Sequence, residues 1–184
     1  MNILLFNGSI DIRPHTAAFK LSDYLEEQFR ALGHEVVQFN VGTTAIPFLD
    51  FTNPEIPTEV QSMCDAFLKA DVHIWLAPLY HGGMPGIMKN CLDWLEITSK
   101  NTNPYLTDKL IGLICWADGG YALNGINGME SVAKSLRAWV HPYSVPIIKS
   151  DLFKDIEHGH FSEMSKNRLN RMVHLLTTPR QELK

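Results

Sequence analysis

A short segment in the middle of the chain combines aromatic side chains with paired glycines, which are residue types suited to binding a flat ligand. The segment consists of Pro78, Leu79, Tyr80, His81 and Gly82, and a second glycine follows directly. Glycine has no side chain, so backbone N–H groups there can meet a ligand directly, and the two rings can cover a planar group. Glycine turns also occur in many proteins that bind nothing, so this segment alone leaves its role open.

A second segment, near the N-terminus, has features of an anion site. Ser9, Arg13, His15 and Thr16 lie between a short apolar run and a predicted helix. The first N–H groups of a helix and its dipole favour phosphate, and hydroxyl groups add donors. The plainer interpretation is that Thr16 only caps the helix and Ser9 only shapes the turn. The segment matches neither a Walker loop nor G-x-G-x-x-G, which disfavours triphosphate hydrolysis and a dinucleotide-type loop.

These segments lie between apolar runs that predict strands over residues 2–6, 35–39, 71–77 and 109–116, with a fifth strand between Trp139 and Ile148. Helical spacing predicts helices over 16–32, 58–70, 128–139 and 161–176, and another beginning at Pro85. Strands that alternate with helices and are apolar on both faces indicate a parallel sheet covered on both sides. We therefore predict one α/β domain over residues 1–184, a three-layer sandwich with a five-stranded parallel sheet in the flavodoxin-like order 2-1-3-4-5.

In that topology the loops after strands 1, 3 and 4 meet at the carboxyl edge of the sheet, where ligands of such sheets bind. The loop after strand 4 is a third glycine turn, formed by Asp118, Gly119 and Gly120. The three segments are therefore predicted to form one site.

Composition excludes several classes of function. A net charge of -4 and a pI near 6.0 give no basic surface for nucleic acid. No apolar run approaches the roughly 20 residues that span a bilayer, so no membrane partner is expected. Three widely spaced cysteines indicate reduced, buried thiols and a cytoplasmic location. The pair His158 and His160 lacks accompanying ligands, so we interpret it as a solvent loop and predict no metal site.

With these motifs in order, the chain resembles the NADPH-dependent FMN reductase family. The resemblance rests on Asn7-Gly8-Ser9, on the run from Pro78 to Leu95, and on Ala117-Asp118-Gly119-Gly120, and it covers about residues 2–176. The pattern Pro-Gly-x-x-Lys-Asn-x-x-Asp-Trp, which begins at Pro85, is its most specific part. The family often has Arg two residues after the serine, where this chain has Asp11. Leu79, His81 and Asp118 also replace residue types that are common in the family.

The resemblance implies a bound FMN that takes hydride from NADPH or NADH and passes it to a quinone, an azo compound, a metal oxyanion or a free flavin. Ser9, His15 and Thr16 would hold the phosphate, residues 78–82 would run along the flavin ring, and Gly119 and Gly120 would approach its pyrimidine side. No catalytic side chain is implied. The family also implies a homodimer or homotetramer, in which Trp94, Trp139 and Tyr143 would be either core residues or subunit contacts.

Two other interpretations fit the same residues. A flavodoxin-type electron carrier would bind FMN without reacting with nicotinamide, although such carriers usually present a strongly acidic face. A non-enzymatic α/β module would bind a phospholigand through the N-terminal loop alone. Flavin colour in the purified protein separates the last interpretation from the other two, and NADPH oxidation separates a reductase from a carrier.

Overall fold

The strands form a parallel sheet in a computed structural model that describes residues 1–53, 55–155 and 159–178. The sheet contains β1 (Asn2–Asn7), β2 (Glu35–Asn40), β3 (Val72–Pro78), β4 (Leu110–Ala117), β5 (Trp139–Val140) and β6 (Val145–Ile148). Its order is β2-β1-β3-β4-β5, with β6 also paired to β4. The predicted flavodoxin-like order is therefore confirmed.

The described residues also form six α-helices, of which the first four lie between strands of the sheet and the last two follow β6: α1 (Ala17–Ala31), α2 (Thr58–Lys69), α3 (Gly86–Asp93), α4 (Ala122–Ser135), α5 (Lys149–Leu152) and α6 (Glu163–Thr177). A 3-10 helix, Trp94–Thr98, continues α3. Between α5 and α6, β7 (Phe153–Asp155) pairs antiparallel with β8 (His160–Phe161). Helices α1 and α6 begin at capping residues, since the hydroxyls of Thr16 and Ser162 accept N–H groups of their first turns.

Two apolar cores lie on the two faces of the sheet because side chains alternate along each strand. Leu4 and Phe6 of β1 pack with α2, α3 and α4, whereas Ile3 and Leu5 pack with α1 and α6. Strand β3 is buried along its whole length, as expected for the middle of a parallel sheet. The helices therefore cover both faces of the sheet, and the ends of the strands form its edges.

Two sequence predictions were wrong in their bounds. The helix predicted over 128–139 is α4, which begins at Ala122, so the turn after β4 contains only residues 118–121. The expected start at residue 128 overlooked Ala122, Gly125 and Ile126, which already face the core. The single fifth strand is two short strands, in which β5 pairs with the first part of β4 and β6 with the last part.

Candidate functional site

A cleft of about 280 Å³ lies at the carboxyl edge of the sheet, between the end of β1, the start of α1 and the end of β3. Parallel strands bring their carboxyl ends to one edge, so residues far apart in sequence meet there. The lining residues are Ser9, Asp11, Arg13, His15, Thr16, Ala17, Ala18, Pro78, Tyr80, Trp116, Lys149 and Phe153. The cleft therefore joins the predicted anion segment to part of the predicted ring segment.

The β1 loop, which we define as residues 8–16, is held by its own hydrogen bonds. The Ser9 hydroxyl donates to the Asp11 carbonyl over 3.0 Å, and the Thr16 hydroxyl donates to the Arg13 carbonyl over 2.8 Å. Thr16 Oγ1 also accepts the Phe19 N–H over 3.2 Å, so the capping role considered for Thr16 is present. The two hydroxyl groups expected to donate to an anion thus already donate to the loop backbone.

Arg13 and Asp11 form a two-point ion pair at the mouth of the cleft. Arg13 Nε donates to Asp11 Oδ1 over 2.9 Å, and Nη2 donates to Oδ2 over 2.7 Å. The hydrogen bonds from Arg13 lower the pKa of the Asp11 carboxyl to about 2. Both groups are therefore charged at neutral pH, and together they add no net charge to the cleft.

The start of α1 supplies backbone donors to the same cleft. The amides of Ala17 and Ala18 belong to the first turn, whose N–H groups have no acceptor within an α-helix. Both residues line the cleft, so the partial positive charge of the helix end is directed there. This arrangement suits an anionic group such as a phosphate.

The β3 turn, residues 80–83, is a two-residue hairpin. Tyr80 and Gly83 exchange two backbone hydrogen bonds of 3.0 Å each. Between them His81 has a φ of 48° and Gly82 a φ of 88°, the positive values that a type I′ turn requires. Tyr80 is 48% exposed and lines the cleft, whereas His81 and Gly82 are exposed and are not part of its lining.

Leu79 precedes this turn but faces the other way. Its N–H donates to the Trp116 carbonyl over 2.8 Å, which ties β3 to β4. Its side chain packs into the core and contacts α4 at Gly125. Leu79 is therefore a structural neighbour of the cleft rather than part of its lining.

The β4 turn, residues 118–121, lies beside the cleft with its backbone exposed. A Cβ atom at Gly119 or Gly120 would meet no heavy atom within 4 Å, so nothing in the described part of the chain covers the two glycines. The Asp118 carboxylate approaches Lys149 Nζ at 3.5 Å, and its side chain is 90% exposed. Gly120 lines a neighbouring apolar groove instead, together with Leu123, Ile148 and Met164.

Of the predicted site residues, the structure brings Ser9, Arg13, His15, Thr16, Pro78 and Tyr80 into one cleft. It places Leu79, His81, Gly82, Asp118, Gly119 and Gly120 around that cleft but outside its lining. Sequence reasoning missed Lys149, Trp116 and Phe153. Lys149 could have been identified as a candidate from the sequence, because it directly follows the apolar run of β6, and the carboxyl end of that strand must lie at the same edge of the sheet.

Other candidate residues lie elsewhere. Cys64, Cys91 and Cys115 are buried, as predicted, and burial raises the pKa of all three thiols to about 12. Trp94 is a core residue, whereas Trp139 is 58% exposed. Tyr143 is half-buried beneath the Arg171 guanidinium.

The described residues contain neither a cluster of metal ligands nor a membrane-spanning helix. His158 lies outside the described residues, and among the described ones no group of three His, Cys, Asp or Glu side chains could hold a metal. No described helix is long and apolar enough to cross a bilayer.

His73 is a titratable group buried at the opposite end of β3, away from the cleft. It is fully buried against the Phe67 ring, and neither ring nitrogen has a hydrogen-bond partner within the described part of the chain. Burial, with Lys109 nearby, lowers its pKa to about 3, so the ring is neutral at physiological pH. We assign it to the core.

The residues of this edge fit FMN. A phosphate suits the amides at the start of α1, and the adjoining rings of Tyr80 and Trp116 suit a planar ring system. The exposed backbone of Gly119 and Gly120 leaves room for the edge of such a ring at the adjoining turn. The donor set is therefore that of a site for a phosphorylated, flat cofactor.

Comparisons with known proteins agree with this chemistry. The sequence profile of NADPH-dependent FMN reductases matches residues 1–151. An FMN-dependent NADPH-azoreductase from Staphylococcus aureus (strain USA300) is 30% identical over 174 residues, which cover 92% of this chain and 88% of the relative.

Solved structures with similar folds include FerB, a flavoenzyme NAD(P)H:(acceptor) oxidoreductase from Paracoccus denitrificans. Its TM-score is 0.76 at 17% identity, covering 95% of this chain and 94% of FerB. An azoreductase from Bacillus anthracis str. Sterne has a TM-score of 0.63 at 13% identity, covering 96% of both chains. These two likenesses support the fold, and the match over residues 1–151 establishes the family: the chain belongs to the NADPH-dependent FMN reductases.

Proposed function

We propose that this FMN-dependent NADPH oxidoreductase holds FMN in the cleft at the carboxyl edge of the sheet and reduces a small azo compound. The observation that carries the proposal is the single cleft in which the β1 loop, the start of α1 and Tyr80 meet. The azo substrate class rests on the Staphylococcus aureus relative, which is an azoreductase. Quinones, metal oxyanions and free flavins are the acceptors to compare with it.

In this proposal the start of α1 binds the phosphate. The Ala17 and Ala18 amides donate to it, and Ser9 and Thr16 keep the β1 loop in shape around it. Asn7 supports the same loop from below, because its buried side chain accepts the Ser9 N–H and donates to Ser22. The protein thus provides a rigid set of donors before the cofactor arrives.

The rest of the edge orients the ring system. Pro78 and Trp116 form the apolar floor of the cleft, and Tyr80 lies at its rim. The backbone of His81 and Gly82 and that of Gly119 and Gly120 would lie beside a bound ring system. Bound FMN supplies the redox chemistry, accepting hydride from NADPH and passing electrons to the acceptor. The open side of the cleft leaves room for NADPH and then the acceptor.

Oligomeric state and location complete the proposal. Phe48 and Phe51 are 85% and 67% exposed, and aromatic side chains are enriched in the cores of protein interfaces. They support a homodimer, or a homotetramer built from such dimers. Three unpaired thiols support a cytoplasmic location, where thiols remain reduced. A monomer in sedimentation equilibrium at micromolar concentration would contradict the oligomer.

The function is tested by adding NADPH without oxygen to the protein reconstituted with FMN. We expect the absorbance of oxidised flavin to bleach within seconds and to return when an azo dye is added, with loss of the dye colour. Persistent flavin absorbance would instead indicate an electron carrier. Failure of the protein to take up FMN would contradict the flavin site altogether.

A matched pair of variants tests the location of the site. His15→Glu places a carboxylate in the cleft, where it would repel a phosphate. His34→Glu makes the same change at the opposite end of the sheet, directly before β2. We expect His15→Glu to weaken FMN binding at least tenfold and His34→Glu to leave it unchanged. Equal effects of the two changes would place the phosphate elsewhere.

A further inference from the structure

We infer that Lys149, and not Arg13, supplies the positive charge that binds the FMN phosphate in this protein. This assignment depends on the proposed FMN cleft and adds to it a residue that lies more than 130 positions from the β1 loop. Lys149 is the first residue of α5, directly after β6, and its side chain lines the same cleft as Arg13.

Arg13 is the cation nearest in sequence to the anion segment, but Asp11 neutralises it. The pair has two short hydrogen bonds, and a carboxylate with two such bonds competes strongly with an incoming phosphate for the same guanidinium. A phosphate approaching Arg13 also approaches the Asp11 carboxylate, which repels it. Arg13 therefore contributes little net attraction as long as Asp11 is present.

The hydroxyl groups of the loop are engaged as well. A hydroxyl has one hydrogen to donate, and those of Ser9 and Thr16 are directed at carbonyl groups of the loop itself. Each would have to give up an internal hydrogen bond to donate to a phosphate. The donors that remain at the cleft are backbone amides and the side chains of His15, Tyr80, Trp116 and Lys149, and among these side chains Lys149 alone is a lysine or arginine.

The Lys149 side chain is held less tightly by its ionic partner than the Arg13 side chain is. Its partner Asp118 is 3.5 Å away, and the two side chains are 52% and 90% exposed. An ion pair this long and this exposed is weak, so a doubly charged phosphate can displace it. Asp118 lies in the β4 turn, outside the cleft lining, and its carboxylate is well solvated. Lys149 can therefore turn from Asp118 to a phosphate without a change in the backbone.

The test compares the binding of FMN with that of riboflavin, which has the same ring system and no phosphate. We expect Lys149→Met to weaken FMN binding about tenfold, which is the value of one charge-assisted contact of about 1.4 kcal/mol, and to leave riboflavin binding unchanged. Lys149→Arg should restore most of the affinity for FMN. Quenching of flavin fluorescence on titration with protein gives both dissociation constants.

Two control variants make the result specific. Lys134→Met removes an exposed lysine that pairs with Glu130 on α4, and it should change neither constant. The double variant Asp11→Asn with Arg13→Met removes both charges of the ion pair, so it should change the affinity for FMN less than twofold. A loss with this double variant as large as with Lys149→Met, or equal loss of FMN and riboflavin binding with Lys149→Met, would overturn the assignment.

A compensating change gives an independent readout. Asp11→Asn removes the charge that holds Arg13, so we expect tighter FMN binding, and Lys149→Met should cost less than threefold in that background. A full tenfold loss there would contradict the competition between Asp11 and phosphate for Arg13. If the wild type binds FMN and Lys149→Met binds it equally well, only the assignment of Lys149 is wrong. If the wild type binds no FMN, the proposed function is wrong too.

Discussion

The β1 loop and the β3 turn lie at the same edge of the sheet but keep their shapes by different means. The β1 loop is fixed by side chains, because Ser9, Asp11 and Thr16 each hydrogen-bond to the backbone within it. The β3 turn is fixed by backbone conformation alone, through positive φ values at His81 and Gly82 and one pair of hydrogen bonds. The two regions should therefore respond to different substitutions.

Residues outside the β1 loop extend its support. Asn7 is 1% exposed, and its side chain joins the Ser9 N–H to the Ser22 hydroxyl of α1. Gly42, which follows β2, lies so close that a Cβ atom there would be 2.5 Å from the Ile10 carbonyl oxygen. The Gly8 N–H donates to the Leu76 carbonyl over 2.8 Å and ties the loop to β3. Three strands thus hold a loop that the proposed function assigns to phosphate.

The difference has a consequence for the ligand. When the side chains of a loop hydrogen-bond within the loop, mostly backbone amides remain to bind a ligand. The positive charge that attracts a phosphate must then come from another element. A turn that uses only its backbone leaves its side chains exposed, and they can vary without loss of shape. The loop should be sensitive to packing changes, and the turn to changes in allowed φ.

The largest effect is expected for Gly42→Ala. The new methyl group would meet backbone atoms, namely Ile10 O at 2.5 Å, Ile10 C at 3.0 Å and Ser9 O at 3.1 Å, so the β1 loop must shift. We expect a loss of about 2 kcal/mol in the free energy of unfolding, typical of overpacking, and a loss of FMN affinity of more than tenfold. Urea unfolding and flavin titration measure the two quantities.

Gly128→Ala is the matched control for this change. Gly128 lies within α4, where a Cβ atom would meet nothing within 4 Å. Alanine favours a helix over glycine by about 1 kcal/mol, so this variant should be as stable as the wild type or more so. If Gly42→Ala bound FMN as well as Gly128→Ala, the β1 loop would not depend on this close approach.

The next largest effect is expected for Gly82→Ala in the β3 turn. Its φ of 88° is unfavourable for alanine by about 1 kcal/mol, although a Cβ atom there would have free space. Because the turn borders the ring system in our proposal, affinity for FMN and riboflavin should fall together, by about fivefold. Gly83, the next residue, has equally open space around it and no positive φ, so Gly83→Ala should change neither the affinity for FMN nor that for riboflavin. Loss of FMN binding alone would mean that the turn contacts the phosphate.

The order of the sheet and the edge that carries the site could be predicted from the sequence. Apolar runs such as residues 109–116 mark buried parallel strands, and the topology then decides which loops meet. Ser9, Thr16 and Tyr80 could be placed at one cleft for the same reason. A pattern that repeats over a whole strand or helix identifies that element even when its predicted first or last residue is slightly wrong.

The parts that could not be predicted depend on contacts between distant residues. Arg13 and Asp11 are two positions apart in the sequence, but whether their side chains pair depends on their rotamers, which the spacing does not determine. Lys149 directly follows β6, but the end of that strand could not be fixed from the sequence because the fifth strand position is divided into β5 and β6. Strands as short as β5 have too few residues for a periodic signal.

The smallest effect, and the sharpest test of how the β3 turn works, is expected for His81→Asn. His81 has a φ of 48°, a conformation that asparagine adopts as readily as any residue except glycine. The side chain is exposed and lies outside the cleft lining, so FMN affinity should change less than about twofold and stability by less than about 0.5 kcal/mol. Flavin titration and urea unfolding check both. A tenfold loss of both FMN and riboflavin would show that the imidazole itself covers the ring, as the sequence pattern predicts, and that side chains as well as backbone define this turn.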